Sequence, residues 1–267
     1  MKFDVERVRD AIAEIVDREM MSRYRRLDPD AVRAKESPTD LVTIVDLAME
    51  RDLEKALGAF APGAAFVGEE AAAADPSILD RIRSADSCWI VDPLDGTRNY
   101  VNHVDEFGTI VAYVERGETL ASWIFAAPLG ECAIGARGQG VLWRGEQVRV
   151  KAQETETPTD LRSTGWLKPE WRDRIVANLK DRTCSRSGHC AAYAYLKLIR
   201  GEVDFKFSSR INPWDHAAGA LMLSELGGAA RWLDDGGDYR PGPSIDRPYL
   251  ATAPGRDWDE IAGRLRN

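Results

Sequence analysis

Nowhere in its 267 residues does this chain carry an apolar run long enough to cross a membrane, which takes about 20 consecutive apolar residues. Its start, Met1-Lys2-Phe3-Asp4-Val5-Glu6-Arg7, is charged throughout and leads into no apolar core of a secretory signal. Cysteine is scarce and scattered: Cys88, Cys132, Cys184 and Cys190 form no CxxC pair. That argues against a zinc site or a disulfide framework, and for reduced thiols in a cytoplasmic protein. Positive charge is in deficit, with a net −8 and a pI near 5.1, which excludes a broad electrostatic grip on nucleic acid or anionic membrane. Internal repeats and low-complexity tracts are also missing. What remains, at 44% hydrophobic and 30% charged, is the composition of a globular protein with a sizeable core, in one large domain or two lobes.

Periodicity organises the chain. Val5, Val8, Ile12, Ile15 and Val16 share one helical face, and a second helix is expected over 46–60 with Leu47, Leu53 and Leu57 as its stripe. Short strands at 64–68 and 88–91 follow, and 107–150 reads as antiparallel sheet broken by Gly-containing turns. Lys151 to Asp160 is polar, includes Pro158 and marks the boundary between an N-terminal lobe, 1–153, and a C-terminal lobe, 154–267. Beyond it the order is alternating α/β: strands at 161–164, 203–207 and 249–252, and helices at 170–179, 189–200, 214–226 and 258–265. Gly227-Gly228 stops the helix begun at Trp214.

Asp92-Pro93-Leu94-Asp95-Gly96-Thr97 follows directly on the strand Cys88–Val91. A tight turn there aims two carboxylates and the Leu94 carbonyl into one small volume, which suits a hard cation such as Mg²⁺. Gly96 permits close approach, and the turn after it can present backbone N–H groups to phosphate. Asp-Pro and Asp-Gly also make ordinary turns, so the motif alone does not establish a site. Three further clusters add weight: Gly68-Glu69-Glu70 at a strand end, Asp40 to Asp46 leading into the second helix with Asp46 as its N-cap, and Asp215 in Trp214-Asp215-His216-Ala217-Ala218-Gly219 at a helix start.

With these residues in place, the chain resembles the inositol monophosphatase family of lithium-sensitive, magnesium-dependent sugar-phosphate phosphatases. The resemblance rests on D-P-L-D-G-T-R-N-Y at Asp92 to Tyr100 and W-D-H-A-A-G-A-L-M-L-S-E-L-G-G at Trp214 to Gly228, with G-E-E at Gly68 and K-E-S-P-T-D-L-V-T-I-V-D at Lys35 in support. It implies an α-β-α-β-α layered fold, with an antiparallel sheet in the N-terminal lobe and α/β structure in the C-terminal one. It also implies two or three Mg²⁺ ions. Glu69, Asp92 and the Leu94 carbonyl would hold the first; Asp92, Asp95 and Asp215 the second; Glu69 would reach a third through water. Thr97 and Asp46 would orient and deprotonate the attacking water, and the N–H groups of Gly96 and Thr97 would bind phosphate. A homodimer is implied in the same way.

The substrate side matches less well. Many inositol-phosphate hydrolysing members place a glutamate seven residues before the aspartate of the W-D motif, and here that position is Ser208. Arg186 to Ala192 resembles the substrate-side helix start, with His189 where glycine is common, so His189, Ala191 and Arg210 are the candidate substrate contacts. The expected activity is hydrolysis of an inositol, sugar or polyol phosphomonoester. The alternatives are a 3′-nucleotidase, fructose-1,6-bisphosphatase or histidinol-phosphatase, or a non-catalytic member bound to transcription or RNA-processing machinery. Intact candidate ligands argue against the last.

Overall fold

Helix α1 (Val5–Ile15) turns Val8, Ile12 and Ile15 inward and begins at Asp4, whose carboxylate accepts the Glu6 N–H at 2.9 Å. The computed structural model describes residues 3–26, 32–34, 41–149, 159–163, 167–179 and 190–266. Strands β1 (Val32–Ala34) and β2 (Leu41–Thr43) pair antiparallel ahead of α2 (Ile44–Phe60). That helix starts earlier than its sequence suggests. Thr43 is the N-cap, its hydroxyl accepting the Val45 N–H at 3.0 Å, and Asp46 sits at the third helical position with its carboxylate on the Thr43 N–H at 2.8 Å. The reciprocal pair is a capping box, so Asp46 is not the N-cap. The buried stripe is Val45, Met49, Leu53 and Leu57, whereas Leu47 is 57% exposed. A four-residue step keeps to one face, and two residues from Val45 the helix has turned to the other side.

Strand β3 (Ala65–Gly68) leads to the short helices α3 (Glu69–Ala74) and α4 (Arg81–Ser84), then β4 (Ser87–Asp95) and α5 (Thr97–Val101). A meander follows: β5 (Gly108–Glu115), β6 (Glu118–Ala126), β7 (Glu131–Ala136), β8 (Gly140–Trp143) and β9 (Glu146–Gln147). Together β3 to β9 form a seven-stranded sheet in chain order, parallel only between β3 and β4. The sequence shows the strands at 65–68 and 108–147; the helix immediately after Gly68 it does not.

The second half supplies β10 (Asp160–Arg162), α6 (Pro169–Asn178), α7 (Ala191–Ile199), β11 (Phe205–Ile211), α8 (Pro213–Glu225), β12 (Ala229–Trp232), β13 (Ile245–Thr252) and α9 (Trp258–Arg266). Its four-stranded sheet has the order β10-β11-β13-β12, with β10 and β11 parallel and the other pairs antiparallel. Strand β12 is not evident from the sequence, because four half-buried residues after Gly-Gly show no alternation.

Three cores define the layers. On one face of the large sheet, Trp89, Val91 and Trp123 meet Ile12, Met49 and Leu53 of α1 and α2. On the other, Ile90, Ala112 and Ile124 meet Tyr195 and Met222 of α7 and α8, which also cover Tyr249 and Ala251 of the small sheet. Beyond that sheet, Phe205, Phe207 and Leu250 pack on Ile175, Ile261 and Leu265 of α6 and α9. The order is α-β-α-β-α, as expected from the resemblance. Residues 150–158, where the sequence suggests a boundary, lie outside the described residues.

Two buried polar tips find partners in the backbone. The Trp123 indole N–H donates to the Val5 carbonyl at 2.9 Å, and the Tyr100 hydroxyl to the Met20 carbonyl at 2.9 Å. The second bond ties α5, next to the Asp turn, to the end of the N-terminal helix. Replacing Tyr100→Phe should therefore lower unfolding stability by about 1 kcal/mol, measured by urea denaturation. An unchanged midpoint would remove that hydrogen bond from the account.

Candidate metal centre

In a regular strand, residues three apart point to opposite faces. Asp92 and Asp95 avoid this because the β4–β5 register slips: Asp92 faces Ile110 while Asp95 faces Gly108, so three steps on β4 match two on β5. The extra residue is a bulge that turns both carboxylates to one side. Pro93 lies within it, where its missing N–H breaks no ladder bond, and its carbonyl accepts the Thr109 hydroxyl at 2.9 Å. Gly96 then takes φ +84°, and a Cβ there would stand 3.1 Å from the Glu106 carbonyl oxygen and 3.3 Å from Cys190 Cβ. Both limits favour glycine.

Asp215 arrives from the first turn of α8, where the Asn212 side-chain amide donates to its Oδ2 at 3.1 Å. One carboxylate oxygen from each of Asp92, Asp95 and Asp215 lies within 4.8 Å of the others. Asp95 also receives the start of α7: the Ala191 N–H at 3.0 Å, the Ala192 N–H at 2.5 Å and the Cys190 thiol at 2.9 Å. A carboxylate at a helix N-terminus is favoured by free N–H groups and by the helix dipole.

Glu69 comes from the neighbouring strand end. Parallel pairing sets Gly68 beside Val91, one residue before Asp92. Glu50 of α2 accepts the Glu70 and Ala71 N–H groups at 2.8 Å each and so caps α3. It approaches so closely that a Cβ on Gly68 would lie 2.1 Å from Glu50 Oε2. Glu69 is partly exposed and stands outside the tight trio of aspartates, yet its charge acts on Asp46, Asp95 and Asp215 alike.

Thr97 opens α5, and its hydroxyl lies 3.0 Å from Asp46 Oδ1 and 2.9 Å from the Leu94 carbonyl. One hydroxyl proton serves only one of these acceptors at a time. The other oxygen of Asp46 holds the Thr43 hydroxyl at 2.6 Å. The capping box thereby orients the acid that faces Thr97.

Crowding shows in the titration of these groups. Burial lifts Asp46 to about 6 against the pull of its hydrogen bonds to Thr43. Burial also raises Asp95. Asp215 is pushed up to about 7 by burial and by the charges of Asp95 and Glu69, while Lys206 draws it back. Three acids that resist joint ionisation, all offering oxygen, suit a neighbouring hard divalent cation. Cys190 does not add a soft donor, because burial and the charge of Asp95 hold its thiol protonated.

Other expected residues are placed differently. Arg210 on β11 pairs with Asp246 of β13 at 3.1 Å, and the Ala191 N–H is engaged by Asp95. His189 lies outside the described residues. His216, beside Asp215, is buried, held neutral by burial and bonded through Nδ1 to the Tyr195 hydroxyl at 2.7 Å. Two residues near the centre, Glu50 and Lys206, have no motif in the sequence; Cys190 lies within the segment Arg186 to Ala192, but nothing there reports its bond to Asp95. Alternation along 203–207 marks Lys206 as facing away from Phe205 and Phe207, but not what it faces.

The match to the inositol monophosphatase family model runs over residues 1–262. The chain belongs to that family. Its relatives are phosphoric monoester hydrolases, and so is this member. It is 32% identical over 200 residues to the fructose-1,6-bisphosphatase/inositol-1-monophosphatase of Thermotoga maritima, covering 74% of each chain. It is 28% identical over 234 residues to the histidinol-phosphatase of Mycobacterium tuberculosis, covering 84% of this chain and 85% of that one. Among solved structures, Thermotoga maritima IMPase superposes with a TM-score of 0.78 at 26% identity, covering 98% of this chain and 97% of that one. An IMPase/NADP phosphatase complexed with Mg²⁺ and phosphate shares the fold, with a TM-score of 0.77 at 19% identity over 96% and 90% of the two chains.

Raised carboxylates fix the sign of a pH effect. Their contribution to metal-free stability is full below the ordinary aspartate range and is lost as pH rises through about 6 for Asp46 and about 7 for Asp215. Mg²⁺ competes with those protons, so it should raise Tm more at about pH 8 than at about pH 5.5. Equal or larger stabilisation at the acidic pH, read by differential scanning fluorimetry, would contradict the assignment.

Proposed function

We propose that this family member hydrolyses a small sugar or polyol phosphomonoester with Mg²⁺, attacking phosphorus directly with water. The observation that carries the reading is the meeting of Asp92, Asp95 and Asp215 beside the Asp46–Thr97 pair. Asp92, Asp95, Asp215, Glu69 and the Leu94 carbonyl would hold two or three ions, with Asp92 shared between sites. Bound there, Mg²⁺ lowers the pKa of water and neutralises charge on the phosphoryl and leaving oxygens.

The chain's own groups do the rest. Thr97 accepts a hydrogen bond from the attacking water while donating its own proton to Asp46, which fixes the direction of attack. Asp46, with a pKa of about 6, is placed to take up a proton near neutral pH. The N–H groups of Gly96 and Thr97 hold the phosphoryl oxygens. No covalent phosphoenzyme is needed, and the thiol that borders the centre, Cys190, is held protonated by burial and the charge of Asp95. Lithium inhibition and a homodimer belong to the same reading.

Phosphate release measured across a panel of sugar, polyol, nucleotide and histidinol phosphates tests it. Asp92→Asn or Asp215→Asn should lower kcat/KM by at least about 10³ with the fold retained, on the scale of losing a metal's stabilisation of the transition state. Thr97→Ala should lower kcat more than it raises KM. Full turnover in Asp92→Asn, or no phosphoester cleaved by the native protein with Mg²⁺, would reject the proposal.

A further inference from the structure

We infer that Lys206 determines specificity at this centre by binding a second anionic group, a carboxylate or another phosphate, on the alcohol that leaves. The inference rests on the phosphatase reading above and adds the chemistry of the substrate's far end.

Alternation along β11 separates two faces. Phe205 and Phe207 enter the core shared with α6 and α9, so Lys206 and Ser208 project from the opposite face, toward α7 and α8. There the Lys206 ammonium donates to Ser208 Oγ at 2.6 Å and stands 5.4 Å from the centre of the Tyr195 ring. Its charged neighbours are Asp215 and Asp95, both in the metal centre. The cation therefore lies at the edge of the site where phosphate chemistry takes place.

Its pairing is unlike that of the other nearby cations. Lys197 is bonded to Glu106 at 2.9 Å and Arg210 to Asp246 at 3.1 Å. Among the described residues Lys206 makes no ion pair; its contacts are the Ser208 hydroxyl and the Tyr195 face. An ammonium carries three protons, and Ser208 takes one. Lys206 is only partly buried, which leaves it open to a ligand held at the neighbouring centre.

Metal loading sharpens the demand. Once cations neutralise Asp95 and Asp215, the through-space compensation of Lys206 is lost, and an uncompensated ammonium in a partly desolvated site is costly. A substrate whose alcohol carries its own negative charge restores the balance. A neutral polyol does not, and an alcohol bearing a positive charge is opposed. Ser208 acts as a positioning residue, holding the amine to one side of the strand.

Matched substrate pairs that differ only in the second anion test this with the Mg²⁺-loaded protein. Fructose 1,6-bisphosphate against fructose 1-phosphate reads a second phosphate; 3-phosphoglycerate against glycerol 3-phosphate reads a carboxylate. The native protein should favour the member that carries the second anionic group in at least one pair, in kcat/KM. In Lys206→Met that preference should shrink by at least about tenfold, the scale of one desolvated charge contact. Lys206→Arg should keep most of it, which separates charge from folding or packing. A native protein that turns over phosphoesters with no preference in either pair overturns the inference, as does a preference that survives Lys206→Met. An equal loss on both members of each pair, with a shifted half-saturation for Mg²⁺, makes Lys206 a counter-ion of Asp215 and also overturns it. A native protein inert toward all four compounds yet active on a neutral polyol or histidinol phosphate also overturns the inference, whereas one inert toward every phosphoester of the wider panel rejects the phosphatase reading itself.

Discussion

Like charges held together against their repulsion are the constraint on which this molecule is built. Two carboxylates about 4 Å apart repel by about 4 kcal/mol at an effective dielectric of 20, and three oxygens from Asp92, Asp95 and Asp215 lie within 4.8 Å. No single segment of chain would hold them so. The register slip in β4 turns two of them together, α8 delivers the third, and α3 brings Glu69 to the same edge. Packing of both faces of the large sheet keeps these elements from relaxing apart. A divalent cation held among the carboxylates would offset that repulsion and so couple the stability of the centre to its loading.

Two of the acids serve the fold and the site at once. Asp46 closes the start of α2 through Thr43 with one oxygen and meets Thr97 with the other. Asp95 takes the first N–H groups of α7 while one of its oxygens joins the cluster with Asp92 and Asp215. This second link joins the bulged end of β4 to the helix between the two sheets. Movement of α7 would therefore alter the geometry of Asp95.

Legibility of the sequence followed the range of the interactions. The Asp92–Thr97 turn and Asp215 are readable because each motif places its own groups within a few residues. Glu69 is readable only as a strand-end acid, and its helix is not, since α3 is capped by Glu50 from a helix 20 residues earlier. Asp46 reads as the cap of its helix, because Thr43 and Asp46 are both good capping residues and only the structure shows them used together. Leu47 reads as core from the sequence, whereas the register set by Val45 and Met49 turns it to solvent. Lys206 reads as an ordinary outward position on a half-buried strand. What it faces depends on α7 and α8, and nothing local reports that.

The central claim is that Asp92 is the shared anchor of a cation site. Anomalous diffraction from crystals soaked with Mn²⁺ as a Mg²⁺ surrogate tests it directly. The account predicts anomalous density among Asp92, Asp95 and Asp215, with Asp92 in contact with every ion next to the trio, and loss of that density in Asp92→Asn. Manganese bound elsewhere, with the three carboxylates left to protons and Lys206, would contradict it.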